Sequence, residues 1–462
     1  MSRLPTRIHD AEGVRALDRC AIEREGIPGY TLMCRAGTAL LDAVESDFPA
    51  CGRLLVVCGA GNNAGDGYVL ARLAREEGYR VMVTALIAPD SLTGDAARAW
   101  QDYAAGGGEV IDWDPRLLTE ADLVVDAILG TGLTRDVGGA FGAAVDAIND
   151  AGLPVLAVDI PSGLDADDGR IRGTAIRADT TVTFVGLKAG LVTGVGPDLR
   201  GRLRFSDLAV PPACADAAEP VLRRLDEACL PDRFPPRSRS AHKGAFGHLL
   251  IVGGAPGMPG AVRLAGEAAL RAGAGLVTVA THPEHAAIIT AARPELMCRG
   301  VTRSADLEQP MARATHLALG PGLGTGEWGR EMLDAALASG LPAVVDADAL
   351  NLLAESPRRY ERWILTPHPG EAARLLGTDT ADVQSDRVRA AAGIVERYGG
   401  VVILKGAGTV VCDAGDELAA ICSDGNPGMA SPGMGDVLTG IVGAMLAQGL
   451  AARQAAETGV LV

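Results

Sequence analysis

An apolar run of strand length that passes through a glycine turn straight into a helix occurs twice in this chain, and few architectures accommodate that unit. Arg53 to Cys58 reads as a short buried strand, Gly59 to Gly67 as the turn and Tyr68 to Glu77 as the helix. His248 to Val252, Gly253 to Gly260 and Ala261 to Ala272 repeat the order. Strands followed by crossover helices build a parallel sheet, and an open parallel sheet gathers its ligands beyond the carboxyl ends of its strands. The 462 residues have room for two such α/β domains of about 200 residues each. Sixty glycines, 48% hydrophobic residues and only 3% aromatics mean that helices must pack on the sheets through Ala, Val, Leu and Gly.

The first domain is expected over 1–214, with a helical preface at 14–46. Gly59, Gly61 and Ala64 satisfy the loose dinucleotide fingerprint, but the strand Val81 to Ala88 ends without the acid that holds a ribose. An ordinary hydride-transferring Rossmann domain is therefore the second reading. The strands running to Asp126 and to Asp159 end in acids, so Asn62 to Asp66, Asp126 and Asp159 can face one crevice. Either aspartate alone is equally readable as a capping or loop-pinning carboxylate. Pro211, Pro212, Pro231, Pro235, Pro236 and the run Arg237 to Ser240 break the apolar periodicity and mark a linker over 215–241.

The second domain, 242–462, continues with strands at Leu276 to Ala280, His316 to Leu319, Ala343 to Val345, Trp363 to Thr366 and Val401 to Leu404. The last four each deliver a polar or glycine-rich motif at the carboxyl end. In Gly425 to Gly440, glycines on either side of Met434 bring bare N–H groups to the start of the helix Val437 to Ala447, which makes an anion site. Asp436 sets a carboxylate beside it, as chemistry on a hydroxyl next to a phosphate requires. The plain alternative is an aspartate that compensates the helix dipole.

A net charge of −16 and a pI near 4.9 argue against nucleic acid and leave phosphate binding to local backbone sites. The nine cysteines are dispersed and never in C-x-x-C spacing, which supports neither zinc nor disulfides. The first residues carry Asp10 and Glu12 rather than an apolar core, and no apolar run reaches membrane-spanning length. A cytoplasmic location is the expectation, with no membrane partner.

Lys243-Gly244, Gly247-His248, Gly253 to Ala261, Gly320 to Gly324, Asp346 to Asn351, Thr366 to Glu371 and Lys405 to Thr409, followed by the segment 425–440, resemble the ADP-dependent NAD(P)HX dehydratases of the ribokinase-like superfamily, in that family's order. Asn62-Asn63, Gly65 to Gly67, Asp126, Gly130 to Leu133 and Asp159 to Gly163 resemble the NAD(P)HX epimerase domain, over about Asp10 to Asp207. The implied fold is a Rossmann-like open parallel sheet followed by a ribokinase-like α/β/α sandwich.

The implied function is the repair of NADH or NADPH that has gained water across the nicotinamide ring. The first domain interconverts the two 6-hydroxy epimers; the second phosphorylates the S-epimer hydroxyl from ADP and expels it as phosphate. The resemblance gives epimerase substrate binding to Asn62, Asn63, Ala64, Gly65, Asp66, Gly130, Thr131, Gly132, Leu133 and Asp159, and potassium to Asn63, Asp126 and Ser162. It gives the dehydratase substrate to Ala261, Gly324, His368 and Asp436, and the nucleotide to Lys405, Gly406, Ala407, Gly408, Thr409 and Gly435. Asp159 and Asp436 are the implied catalytic residues. Magnesium accompanies ADP or ATP, with Glu371 helping to order it, and a homo-oligomer is compatible with the family. Ala64 and Pro432 stand where the family usually has glycine, and the family continues through further helices past the position of Val462. A small-molecule kinase and a nucleotide-binding protein with a decayed site are the competing functions.

Overall fold

The computed structural model describes residues 3–415 and 417–462. Its contacts divide the chain into two compact units, Met1–Arg223 and Arg224–Val462.

The first unit opens with β1 (Arg7–His9), α1 (Ala11–Arg19) and α2 (Gly29–Asp47). A βα succession follows: β2 (Arg53–Cys58), α3 (Asn62–Glu76), β3 (Arg80–Ala85), α4 (Gly94–Ala105), β4 (Val110–Asp112), β5 (Leu123–Ala127), α5 (Gly139–Asp150) and β6 (Val155–Val158). It ends with β7 (Thr180–Phe184), β8 (Leu187–Lys188), the single turn α6 (Gly196–Leu199) and β9 (Arg202–Ser206). Seven strands form a parallel sheet in the order β4-β3-β2-β5-β6-β7-β9. The continuous apolar runs of β2 and β5 are buried on both faces, as central parallel strands must be. The chain leaves β2 toward β3 and returns on the other side at β5, so the topological switch point lies between β2 and β5.

The helix after β2 begins earlier than the sequence pattern suggests. Gly61, at φ 97°, turns the chain, and α3 starts at Asn62, so the expected loop 62–66 forms the first turn of a helix. Ala64 is therefore helical and fully buried, and it is not among the residues with positive φ. The methyl group that replaces glycine meets no backbone strain there.

The stretch expected as a linker carries short structure, β10 (Leu222–Arg224) and α7 (Leu230–Arg233). Arg233 reaches Thr458 Oγ1 at 2.8 Å. Arg237 donates to Gly273 O at 2.8 Å and lies over the Phe246 ring at 3.7 Å. Residues 235–241 are exposed and without regular structure.

The second unit runs β11 (His248–Val252), α8 (Pro259–Arg271), β12 (Leu276–Thr281), α9 (Pro283–Ala292), β13 (Met297–Gly300), α10 (Glu308–Met311), β14 (His316–Leu319) and α11 (Glu327–Ala338). Next come β15 (Ala343–Val345), α12 (Ala347–Glu355), β16 (Trp363–Leu365), α13 (Pro369–Leu376), α14 (Thr380–Ser385), α15 (Arg387–Tyr398) and β17 (Val401–Leu404). The hairpin β18 (Thr409–Asp413) and β19 (Ala420–Cys422) precedes α16 (Met434–Ala447) and α17 (Ala452–Leu461). Strands β13-β12-β11-β14-β15-β16-β17 are parallel, and β18 and β19 continue the order antiparallel. Among the described residues no helix is long and apolar enough to cross a membrane, and the nine cysteines are free thiols.

Helix α16 carries Asp436, and its seat is set by glycine. A Cβ on Gly440 would stand 2.0 Å from the Ala265 carbonyl oxygen of α8, and one on Gly443 2.8 Å from the Leu249 side chain. Backbone meets backbone at Gly440, so no rotamer change can make room. Gly440→Ala should therefore destabilise the second unit by about 1–3 kcal/mol, read as an earlier urea-unfolding midpoint followed by a probe in that unit; an unchanged midpoint would show that α16 can shift outward freely.

Candidate active sites

Beyond the carboxyl ends of β2, β5 and β6, the first unit holds a cavity of about 720 Å³. Asn62, Asn63, Asp66, Gly130, Thr131, Gly132, Leu133 and Asp159 line it, so most of the residues named from sequence for this half meet in one place. Ala64 and Gly65 face inward instead; a Cβ on Gly65 would strike Met33 at 2.5 Å. Asp18, Phe184 and Lys188 also line the cavity and were not foreseen. Among the described residues, three of the five non-glycine residues with positive φ, Asp159, Val185 and Leu208, are on its wall. Such conformations cost on the order of 1–3 kcal/mol each and cluster where a side chain must be aimed.

Lys188 is fully buried, and its ammonium donates to Asp159 Oδ1, to Thr183 Oγ1 at 3.0 Å and to the Phe184 carbonyl at 2.9 Å. Asp159 Oδ1 also accepts from Phe184 N at 3.0 Å. Asp66 lies in the same cavity, and burial, followed by the charges of Asp159 and Asp18, pushes its carboxyl well above the usual range.

Asp126 is wholly buried. It accepts from Ser162 N at 2.8 Å, Ser162 Oγ at 2.6 Å and Ile128 N at 3.2 Å. Burial raises its carboxyl to about 6 against the pull of those bonds, and no ammonium or guanidinium contributes. Ser162 Oγ lies 3.1 Å from Leu129 O, which also accepts from Asn63 Nδ2 at 3.1 Å. The result is a nest of hard oxygens around a carboxylate that, among the described residues, no cation answers. Buried charges are paired or coordinate metals, and carboxylate and carbonyl oxygens suit hard cations, so this donor set fits an alkali ion.

In the second unit the loops after β11 and β14 interleave: Cβ positions on Gly324 and Gly322 would lie 3.3 Å and 3.2 Å from the Cβ atoms of Ala255 and Ala261. Gly324 N donates to Asp348 Oδ2 at 2.8 Å. Asp346 follows β15 and is buried; it accepts from Lys405 Nζ at 2.7 Å, Thr366 Oγ1 at 2.8 Å and Thr439 Oγ1 at 2.9 Å. Burial alone would raise this carboxyl, but the Lys405 ammonium and the hydrogen bonds outweigh it and hold it below the ordinary value.

A Cβ on Gly435 would stand 3.3 Å from Lys405 Nζ and 3.5 Å from Asp346 Oδ2, which sets the start of α16 against that ion pair. Gly433, at φ 89°, caps the helix. The N–H groups of Met434, Gly435 and Asp436 belong to the first turn and have no intrahelical acceptor. Pro432 precedes the cap, so its missing N–H takes none of these donors away. Asp436 is half-buried; burial first, then the Asp346 charge, lift its carboxyl to about 6 against Lys405.

His368 N-caps α13: its Nδ1 accepts from Gly370 N at 3.0 Å and Glu371 N at 3.3 Å, while Glu371 Oε2 accepts from His368 N at 2.8 Å. Burial and then the Lys405 charge lower the imidazole, and its Nε2 lies 3.4 Å from Glu371 Oε1. Among the described residues no three His, Cys, Asp or Glu side chains group to hold a metal.

The loop 405–409 rests on Arg387, which sequence reasoning missed. This buried guanidinium donates to the carbonyls of Leu404 at 3.0 Å, Lys405 at 3.1 Å and Gly408 at 3.4 Å, and to Gln384 Oε1 at 2.5 Å. Burial lowers it to about 10.

The fold and its two strand-end sites define a two-part α/β enzyme. A family model described as NAD(P)H-hydrate dehydratase matches residues 249–462, and one described as YjeF-related protein N-terminus matches 29–190. The bifunctional NAD(P)H-hydrate repair enzyme of Coxiella burnetii is 45% identical over 99% of this chain and 93% of its own, and that of Escherichia coli is 44% identical over 99% and 88%. The chain belongs to the family of bifunctional NAD(P)H-hydrate repair enzymes. A crystal structure of the ADP/ATP-dependent NAD(P)H-hydrate dehydratase from Bacillus subtilis with ATP/Mg2+ is 30% identical, with a TM-score of 0.45 over 51% of this chain and 84% of that one.

Removing the Arg387 guanidinium takes the donor from two loop carbonyls, Lys405 and Gly408, and from the strand-end carbonyl of Leu404. Arg387→Met should cost about 1.5–3 kcal/mol of stability and raise the KM for nucleotide in the dehydration assay, with epimerisation in the same chain unchanged. A nucleotide KM equal to that of the wild type would show that the loop holds its shape without the arginine.

Proposed function

We propose that the first unit epimerises NAD(P)H hydrates in the cavity at β2, β5 and β6, and that the second dehydrates the S epimer at the start of α16 with ADP as phosphoryl donor. The observation that carries the second half is the Asp436 carboxyl beside the Gly435 and Asp436 N–H groups at the start of α16, facing the Asp346–Lys405 pair. Asp436 takes the proton of the 6-hydroxyl; the oxygen attacks the terminal phosphorus, and the bond to the departing nucleotide breaks. The N–H groups of Gly435 and Asp436 and the Lys405 ammonium hold the transferring phosphoryl group. Phosphate then leaves C6 with its bonding electrons, C5 gives up a proton and the ring double bond returns. Ala261, Gly324 and His368 bind the hydrated dinucleotide, and the segment Lys405 to Thr409 binds the nucleotide.

Glu371 is the carboxylate through which magnesium would be ordered. Bound with the nucleotide, magnesium offsets phosphoryl charge, and an ion held by one or two carboxylates plus phosphates needs no cage of its own. In the first unit, Asn63, Asp126 and Ser162 would hold potassium, which would supply a fixed positive charge to answer the Asp126 carboxylate. Asn62, Asp66 and Gly130 to Leu133 bind the substrate there, and Asp159 acts on it. Incubating mixed NADHX epimers with and without ADP, and following the absorbance of the reduced nicotinamide, tests both halves: full recovery needs both, half recovery only the second.

Asp436→Asn keeps the size and the helix start but cannot accept the proton. Dehydration should fall by at least about 10²-fold, the lower end for a positioned base, while epimerisation persists. The base works ionised, so the wild-type dehydration rate should rise with pH through about 6. An aspartate kept for the helix dipole predicts near-normal turnover and a stability loss of about 0.3–1 kcal/mol, and that outcome would sink the assignment.

Asp159→Asn should slow interconversion of the epimers and leave ADP-dependent repair of the S form intact, since distant independent sites act additively. Parallel loss of both activities in a folded variant would contradict the division of labour.

A further inference from the structure

The cavity of the first unit contains a carboxyl that none of the assigned roles uses. Asp10 caps α1 through Gly13 N at 2.7 Å. Val14, Asp18 and the following Ile22 recur at every fourth residue, so one helical face is turned to the cavity they line. Among the described residues, no group hydrogen-bonds to the Asp18 carboxyl or pairs with it. Opposite it, the three protons of Lys188 are taken by Asp159, Thr183 and Phe184, so the lysine is committed to Asp159 and cannot neutralise a second acid. The bonds to Asp159 fall on Oδ1, which leaves Oδ2 open. One carboxylate is fixed and ion-paired; the other is half-buried and unanswered.

We propose that Asp18 is a catalytic residue of epimerisation, exchanging a proton with the 6-hydroxyl on one face of the ring while Asp159 serves the other face. The inference rests on the epimerase reading of this cavity. C6 of the substrate bears both the hydroxyl and N1, so its C–O bond breaks with help from the nitrogen. The Asp18 proton passes to the hydroxyl, C6–O breaks, water leaves with the bonding pair, and the N1 lone pair makes C6=N1. Water adds to the opposite face of the flattened ring, the new C6–O bond forms as the π electrons return to N1, and the surplus proton goes to Asp159. The two carboxyls have then exchanged protonation states, which is where the reverse reaction begins; exchange with solvent resets them.

Burial raises Asp18 to about 6, the Lys188 charge opposing and the Asp159 charge assisting, so its proton is exchangeable near neutrality. The charged and titratable groups facing it are Arg15 on its own helix, Asp66 on α3, Asp95 on α4, Arg135 after β5, Asp159 after β6 and Lys188 on β8.

The test measures epimerisation by the full chain, with the uncatalysed rate subtracted, in Asp18→Asn, Asp18→Glu and Asp66→Asn across pH. Asp18→Asn should lower kcat by at least about 10²-fold with KM near that of the wild type, and Asp18→Glu should recover part of the loss. Wild-type kcat/KM should fall as pH rises through about 6. That limb should persist in Asp66→Asn and vanish in Asp18→Asn. ADP-dependent dehydration of the S epimer by the same variants reports that the chain is made, and a melt followed by a probe in the first unit reports that its epimerase half is folded. Wild-type epimerisation by Asp18→Asn, or loss of the alkaline limb in Asp66→Asn instead, overturns the proposal. If Asp18→Asn does not fold, the limb in Asp66→Asn decides alone. A wild-type chain that does not epimerise at all would defeat the epimerase reading itself, a separate failure.

Discussion

A carboxylate taken out of water must find hydrogen-bond donors or a cation, and four aspartates at the heart of this chain meet that demand differently. Asp126 has three donors and no cation. Asp159 has a buried lysine that is fully committed to it and its neighbours. Asp346 has a lysine and two threonine hydroxyls. Asp436 has none of these, only a neighbouring positive charge and the end of a helix. The form of compensation separates anchors from reagents: a carboxylate with both oxygens held, as in Asp126 and Asp346, keeps its place, whereas one with an oxygen left open, as in Asp159 and Asp436, can take a proton.

The division explains why Asp346 and Asp436, both within reach of the Lys405 charge, have opposite tendencies. Lys405 lowers both, but Asp346 holds its ammonium at 2.7 Å and sits deeper, and its ionised state then raises Asp436. Burial is the larger cause at Asp436; the Asp346 carboxylate adds to it, and the lysine that Asp346 holds opposes it directly. Glycine makes the geometry available: any side chain at Gly435 would stand in the space between the helix start and the pair.

The strand ends were legible in the sequence because a parallel strand buried on both faces is a continuous apolar run, and its first polar residue is the site. That logic reached Asp126, Asp159, Asp346 and Lys405. It failed for β7, whose Thr-Thr-Val-Thr-Phe alternation is wholly buried with its hydroxyls bonded internally, and Lys188 was lost with it. Asn62 to Asp66 were read as loop because glycines surround them, whereas only Gly61 needs the left-handed region and the helix takes the rest. Asp18 carried a usable signal, its helical spacing with Val14 and Ile22, but an acid on an apolar face has no partner visible in sequence. Arg387 carried none, since a buried guanidinium bonded to carbonyls looks like any surface arginine until the chain is folded.

Both proposed reactions act on the same oxygen, and the environments differ as the chemistry demands. To leave C6 as water, the hydroxyl must gain a proton, which calls for an acid that burial keeps protonated; Asp18 is one, and the lysine it faces has its protons already taken. To attack phosphorus, the hydroxyl must lose a proton to a base that lies beside anion-binding N–H groups; Asp436 opens a helix whose dipole favours negative charge. Two carboxyls raised to a similar value, about 6 in each case, can therefore serve opposite ends of one repair, because what surrounds them, rather than the acidity itself, decides which way the proton moves.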